Sequence, residues 1–435
     1  MKHFYFRQWL SFVIILFCFN TLHAEEASKA LTLEAALATV DTHPDFQVAL
    51  AERNAAIADR DIASSRTDTS LNLEGILRSG QQNNANTGFL PDNSVRLTAR
   101  KTLYDFGRSS AAEQAAASEL SARAADLLTA REKRRLEIMT RYFDVLLADM
   151  QFTADNELMA SIYVGFDHGR DNFAAGKISS IDLAAMEVNY QDTFLKRNAS
   201  LQRQRISRAL LANALNRPGD LPGDLVDPQL ETNNRVLQDY STLVPVLLEN
   251  NARLKAQQEL QAASQQRLES LRAEKRPTLD AEVQAADYSR TSALRDNLSA
   301  GLILSWPMYL GHRTDSRVAK EYAQLDKNRA NLDKLKMELT QSMLETYLDI
   351  VQLQSVGRNA AQKQVAYRDL TMERSRGLYE LELRSNLGTA MTDSFQANLR
   401  VRRNEYLLAL NFERLEAMLG KPLEAKYKNE VKGKK

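Results

Sequence analysis

Apolar and polar positions alternate along this chain with two different periods, and both periods occur twice in the same order. In the first half Leu136, Met139, Phe143, Leu146 and Met150 recur at spacings of three and four, as do Leu344, Leu348 and Val351 in the second. Such spacing marks the seam of helices packing lengthwise. The two centres read Arg141-Tyr142-Phe143-Asp144-Val145-Leu146-Leu147 and Thr346-Tyr347-Leu348-Asp349-Ile350-Val351-Gln352, the same Tyr-apolar-Asp core 205 positions later. Neither 105–216 nor 315–420 contains a proline, so each predicts a long helical hairpin. Before the first plausible break, near 165–176, about 60 residues would form a rod of about 90 Å at 1.5 Å per residue.

Period two precedes each long helix. Leu71, Leu73 and Leu77 alternate with Asn72, Glu74 and Arg78, and Val95, Leu97, Ala99 and Leu103 with Arg96, Thr98, Arg100 and Thr102. The polar loop between them predicts a β-hairpin over about 71–103. The second copy, about 279–307, has Leu279, Ala281, Val283 and Ala285, then Leu298, Ala300, Leu302, Leu304 and Trp306, with Ile76 and Ile303 breaking the alternation. Each hairpin ends at a glycine, Gly107 or Gly311, that lets the backbone swing from strand into helix. Ahead of the hairpins, 31–64 reads as a helix pair broken at His43-Pro44 with Thr32 as N-cap, and 240–273 as its counterpart broken at Asn250-Asn251-Ala252. The chain thus divides into residues 25–217, a Pro/Gly-rich linker 218–235, a second copy 236–422 and a basic tail 423–435.

About ten residues of apolar-out, polar-in strand make one tilted pass through a bilayer. A water-soluble sheet with one buried face reads the same way, and period alone favours it. The N-terminus tips the balance. Lys2 and Arg7 precede an apolar run, 9–19, and a cleavage-like Leu22-His23-Ala24, which predicts a secretory signal over 1–24, the alternative being a retained anchor. Cys18, the single cysteine, lies inside it, so the mature chain has no thiol chemistry. Its removal with Lys2 and Arg7 takes the formal charge from +1 to −1, a balance that argues against nucleic acid as a partner. With 44% hydrophobic residues, 16 Gly and 9 Pro, the composition is not that of a disordered chain.

The sequence offers no enzyme, cofactor or metal chemistry. His43, His168 and His312 have no partner at metal-ligand spacing. Gly176-Lys177 resembles the end of a phosphate-binding loop, but Ile178 replaces its Ser/Thr and Asp171 its first glycine.

Helix, β-hairpin and long helical hairpin, repeated once behind a signal, resemble the TolC family of outer-membrane efflux and secretion channel proteins. The resemblance rests on the paired hairpin-to-helix turns, the Tyr142-Phe143-Asp144 and Tyr347-Leu348-Asp349 centres, and the turn Gly176-x-x-Ser179-x-x-Asp182-Leu183. It implies an α+β membrane protein with an internal two-fold repeat. In that architecture a homotrimer joins four strands per chain into a β-barrel of about 12 strands, continuing into a barrel of helices across the periplasm. It further implies an outer-membrane location, a passive exit duct, and as partners a periplasmic adaptor and an inner-membrane transporter of a tripartite pump or type I secretion system. Leu97 and Leu302 would then face lipid, and the tips Gly176, Lys177, Glu382 and Leu383 would dock the adaptor, or else be plain exposed turns. Glu382 departs from the family, where glycine is usual.

In TolC-like proteins a tyrosine and an arginine bond an aspartate and hold the periplasmic end shut, and Tyr379, Arg384 and Asp182 stand at matching positions. Such a partly enclosed pair contributes about 1.5–3 kcal/mol, an ordinary exposed one under about 1 kcal/mol. Gly388 and Met391 occupy two positions where the family has aspartates, so its cation selectivity does not carry over. A soluble periplasmic coiled-coil scaffold is the competing reading.

Overall fold

A computed structural model describes residues 30–81, 88–290, 295–381 and 387–423. The expected signal, 1–24, and nearly all of the basic tail lie outside the described residues, as do Glu382, Leu383 and Arg384. The chain forms two compact units. The first comprises Met1–Thr39, Ile138–Gln229 and Asn386–Gln396; the second Val40–Glu137, Leu230–Ser385 and Ala397–Lys435.

The second unit holds the sheet. β1 (Ser70–Ile76), β4 (Ser94–Tyr104), β5 (Thr278–Tyr288) and β6 (Leu298–Ser305) pair antiparallel in that order, and β2 (Ser79–Gly80) pairs with β3 (Leu90–Pro91) as an extension of the first hairpin. The central pairing, β4 with β5, joins the first hairpin to the second. Both turns into helix use a left-handed glycine, Gly107 at φ 86° and Gly311 at φ 65°, where a side chain would be strained.

The helix pairs ahead of the hairpins form as α1 (Leu33–Leu37) with α2 (Pro44–Ser64) and α5 (Tyr240–Asn250) with α6 (Ala252–Ala273). Thr32 caps α1, accepting from Ala35 N at 3.2 Å. α1 is shorter than its counterpart because the chain tightens into a 3₁₀ turn, Val40–Thr42, before His43 and Pro44 start α2. Asn251 fulfils the break expected in the second copy: its Oδ1 accepts from Leu254 N at 3.1 Å and its Nδ2 donates to the Met418 carbonyl at 2.8 Å.

The first long helix, α3 (Arg108–Ala174), runs unbroken for 67 residues and returns as α4 (Ser180–Ala214). Gly165 and Gly169 lie inside it, so the break comes at Gly176. In the second copy α7 (Arg313–Gln352) passes through a π-turn, Leu353–Gly357, into α8 (Arg358–Glu380), and α9 (Leu387–Leu419) returns. Leu325, Leu332, Leu339, Met343 and Ile350 are the buried stripe of α7, and the last four meet Leu243, Leu254, Leu408, Phe412 and Leu415 in one core. Asn328, buried in that stripe, donates to Ser264 Oγ at 2.8 Å and pins the lengthwise register of α6 against α7.

This corrects the predicted seam. Leu344, Leu348 and Val351 are 41, 55 and 42% exposed, and Met343, Thr346 and Ile350 are buried in their place. The helix carries apolar residues on two faces, and a spacing pattern cannot say which face the chain itself covers. In the first copy Met139 and Phe143 are buried as expected, Leu146 and Met150 only half-buried, and Ile138, Tyr142 and Val145 join the core.

At the π-turn the glycine has a steric reason: a Cβ on Gly357 would lie 2.4 Å from Asn404 Oδ1. Beside it Arg358 makes a forked pair with Glu405, both contacts 2.7 Å, and Asn233 Nδ2 donates to the same carboxylate at 2.8 Å. Burial pushes the Glu405 carboxyl up, but Arg358 and Asn233 outweigh it and hold the group below the usual range.

In the first unit a parallel bridge joins Leu31 to Leu225, and the buried Tyr142 hydroxyl donates a shared bond to the carbonyls of Leu31 at 2.7 Å and Val226 at 2.5 Å. Burial pushes this hydroxyl up from 10.0 to about 12. A folded-state pKa above the unfolded one contributes stability that is complete below about pH 10 and is lost as pH rises through about 12. Tyr142→Phe should therefore cost about 0.5–1.5 kcal/mol at neutral pH. It should also flatten the decline in urea stability between about pH 10 and 12. An equally steep decline in the mutant would show that Tyr142 does not carry it.

Candidate functional site

The sheet has two chemically distinct faces, fixed by its register. On one face Glu74 stands opposite Arg96, Arg100 opposite Glu282, Thr98 opposite Gln284 and Thr102 opposite Asp280. Arg96 bonds Glu74 at 3.4 Å, and Arg100 Nε donates to Glu282 Oε2 at 2.9 Å. The two breaks in alternation are intrusions on this polar face: Ile76 pairs with Ser94 and Ile303 with Asp280.

The other face is apolar and uncovered. Leu73 pairs with Leu97, Leu97 with Ala285, and Ala281 with Leu302, so the two predicted lipid-facing residues share it. Leu97 is 40% and Leu302 67% exposed, with Leu71, Leu298 and Leu304 exposed beside them. An apolar face of this extent marks an interaction surface. Its polar members come at its ends, Lys101 opposite Ala281 near the helices and Asp287 opposite Val95 near the hairpin tips. Tyr104 and Trp306 are exposed at the helix end.

The turn between α3 and α4 is built by caps at both ends. Gly176, at φ 69°, donates its N–H to the Phe173 carbonyl at 2.9 Å and Lys177 N donates to that of Asn172 at 2.8 Å, closing α3 in a Schellman motif. Ser179 Oγ accepts from Asp182 N at 3.1 Å while Asp182 Oδ2 accepts from Ser179 N at 3.2 Å and from Ser179 Oγ at 2.7 Å, a capping box for α4. These bonds hold the Asp182 carboxyl below its ordinary range. Gly176, Lys177 and Asp182 are therefore brought together in one exposed turn. Tyr379 is exposed near the end of α8, while Arg384, Glu382 and Leu383 fall outside the described residues.

Behind this turn Tyr190 packs its ring against Tyr163, Phe166 and Phe194, with centroids 5.3, 5.8 and 6.0 Å away. A Cβ on Gly169 would lie 2.5 Å from the Met186 sulfur, so α3 and α4 approach closely there. The same unit has an open groove of about 1060 Å³, whose charged lining includes Arg141, Asp144, Asp155, Lys196, Arg203 and Asp393. Its three bases and three acids favour neither ion class. Among the described residues no cluster of His, Cys, Asp or Glu is arranged to hold a metal ion, and no helix is long and apolar enough to cross a membrane.

No family model and no curated protein matches the chain. Solved structures do. The chain resembles CusC, solved in a study of folding and transmembrane channel formation, with a TM-score of 0.72 and 16% identity over 89% of this chain and 92% of that one. It resembles the CmeC outer membrane channel of Campylobacter jejuni with a TM-score of 0.74 and 14% identity over 92 and 88%. It resembles the MtrE outer membrane channel of Neisseria gonorrhoeae, in its open state, with a TM-score of 0.71 and 13% identity over 89 and 89%. The fold is thus that of these outer-membrane channels, as the resemblance drawn from the sequence implied.

The capping box generates a local prediction. Ser179→Ala removes one N-cap acceptor and should destabilise the start of α4 by about 0.5–2 kcal/mol. Amide hydrogen exchange over 180–183 should accelerate, with α7 unaffected; unchanged protection there would contradict the cap's role.

Proposed function

We propose that this chain is the outer-membrane exit duct of a tripartite efflux pump or type I secretion system, assembled as a homotrimer and passive in itself. The observation that carries the reading is the sheet: four strands with an uncovered apolar face, a charged opposite face and two open edges. Hydrocarbon tolerates no unpaired strand edge, and four strands are too few to close, since about eight is the practical minimum. Copies of the chain that pair β1 of one with β6 of the next satisfy both edges at once. The exposed stripe Leu344, Leu348 and Val351 on α7 then has a neighbouring copy to pack against.

In this reading the hairpin tips open outside the cell and the helical hairpins reach into the periplasm. The turn with Gly176 and Lys177, together with Glu382 and Leu383, meets a periplasmic adaptor protein that links the duct to an inner-membrane transporter. Asp182, Tyr379 and Arg384 form the gate at that end. The capping box supplies a preorganised acceptor, because Ser179 already fixes the Asp182 carboxylate in its ionised form.

Two measurements test this reading. Leu97→Arg or Leu302→Arg should cost about 2–4 kcal/mol near the bilayer midplane and reduce the trimer extracted with detergent from outer membranes; undiminished trimer from both would contradict a lipid-facing sheet. Arg384→Ser with Tyr379→Phe should raise single-channel conductance in planar bilayers, whereas conductance equal to wild type would remove these residues from the gate.

A further inference from the structure

The hairpin tips, at the end of the sheet away from the strand-to-helix turns, hold three arginines and one carboxylate. Asp92, 7% exposed, accepts from Arg78 Nε at 2.7 Å and from Arg295 Nη1 at 3.0 Å. The Arg295 guanidinium also lies over the Tyr288 ring, 5.0 Å from its centroid. Arg290 Nη2 donates to the carbonyls of Gly80 and Leu90, both at 3.1 Å, and these acceptors are neutral. The two tips are tied through the backbone, Asn93 N donating to Ser289 Oγ at 2.7 Å and Ser289 N to the Asn93 carbonyl at 2.9 Å.

Charge at the tips is sorted between the two faces. Tyr288 pairs with Ser94 on the polar face, and Arg290, half-buried, comes two residues later, where continued alternation beyond β5 would put it on the same side. Asp287 pairs with Val95 and is exposed on the apolar side. The Asn297 carbonyl accepts from Ala286 N, so Asp296, one residue earlier and exposed, falls on the side of Asp287. Segments 82–87 and 291–294 contain no charged residue in the sequence. The polar side therefore holds Arg78, Arg290 and Arg295 against Asp92 alone, a surplus of two positive charges per chain. Farther along that face the pairs Arg96–Glu74 and Arg100–Glu282 cancel, leaving Asp280.

We infer that this arginine cluster makes the outer mouth of the duct favour anions, so that carboxylate- or phosphate-bearing solutes leave more readily than cations of the same size. The inference rests on the channel reading above. Fixed charges of one sign at a mouth walled by low-dielectric material concentrate the opposite ion there. Guanidinium groups stay charged at any physiological pH and match carboxylate and phosphate geometry, and symmetric assembly repeats the surplus with every copy. Asp92 tethers two of the arginines without neutralising the third, which keeps the cluster ordered and positive.

The test is the reversal potential of the purified full chain in planar bilayers of neutral lipid under a KCl gradient. Arg290→Gln with Arg295→Gln leaves Arg78 on Asp92 and should lower the chloride-to-potassium permeability ratio about threefold, while Arg290→Lys with Arg295→Lys should keep it. A conducting glutamine variant with the wild-type ratio overturns the inference, as does a lysine variant that shifts as far as the glutamine one. Folded wild-type oligomers that carry no current would instead overturn the channel reading itself, so the two failures are distinguishable.

Discussion

The pairing of β4 with β5 is the contact on which the rest of the structure depends. It makes one sheet from two hairpins some 180 residues apart in sequence, with Leu97 opposite Ala285 and Arg100 opposite Glu282. Because strand side chains alternate, a slip of one residue would turn the leucines of one hairpin onto the charged face of the other. The Arg100–Glu282 pair disfavours such a slip by anchoring the polar side, and the ties between Asn93 and Ser289 fix the far end. With the register set, a single apolar face, a single polar face and two free edges follow.

Those free edges connect the sheet to the long helices. In the proposed assembly, the copies that close the sheet present the helices issuing from Gly107 and Gly311 side by side. That assembly would use both apolar faces of α7. Met343 and Ile350 pack within the chain, and Leu344, Leu348 and Val351 are exposed and, in the proposed assembly, face a neighbouring copy. The two copies differ at their helix centres. In the first copy Tyr142, on an unbroken α3, bonds the Leu31 and Val226 carbonyls beside the Leu31–Leu225 bridge. In the second, Tyr347 sits at the matching position but packs against Tyr240, and the helix is interrupted by a π-turn beside the Arg358–Glu405 pair. A π-turn within a long helix is a recurrent feature of functional sites.

Much of this was legible in the residues because it is local. Period two located the strands, Gly107 and Gly311 marked the turns that need positive φ, and Thr32 showed its capping role by position. The features that escaped depend on distant partners. No local pattern reveals that Asn404 and Gly357 are in contact, that Tyr142 reaches the Leu31 and Val226 carbonyls, or that the buried stripe of α7 runs through Met343 and not Leu344. The arginines at the tips carry no signal in the local pattern, since their significance lies in which face they share. Of the proposed gate, Asp182 has a defined geometry through Ser179, whereas Arg384 was legible only through a resemblance.

The central claim is that one face of the sheet meets lipid and the other meets water. The mature chain lacks cysteine if the leader carrying Cys18 is removed, which makes single-cysteine labelling of β4 in intact outer membranes the most direct measurement. Cysteines placed in turn at Val95, Arg96, Leu97, Thr98, Ala99 and Arg100 should react with a membrane-impermeant maleimide at 96, 98 and 100 and resist it at 95, 97 and 99. Labelling at every position, or with the two sets exchanged, would contradict the account.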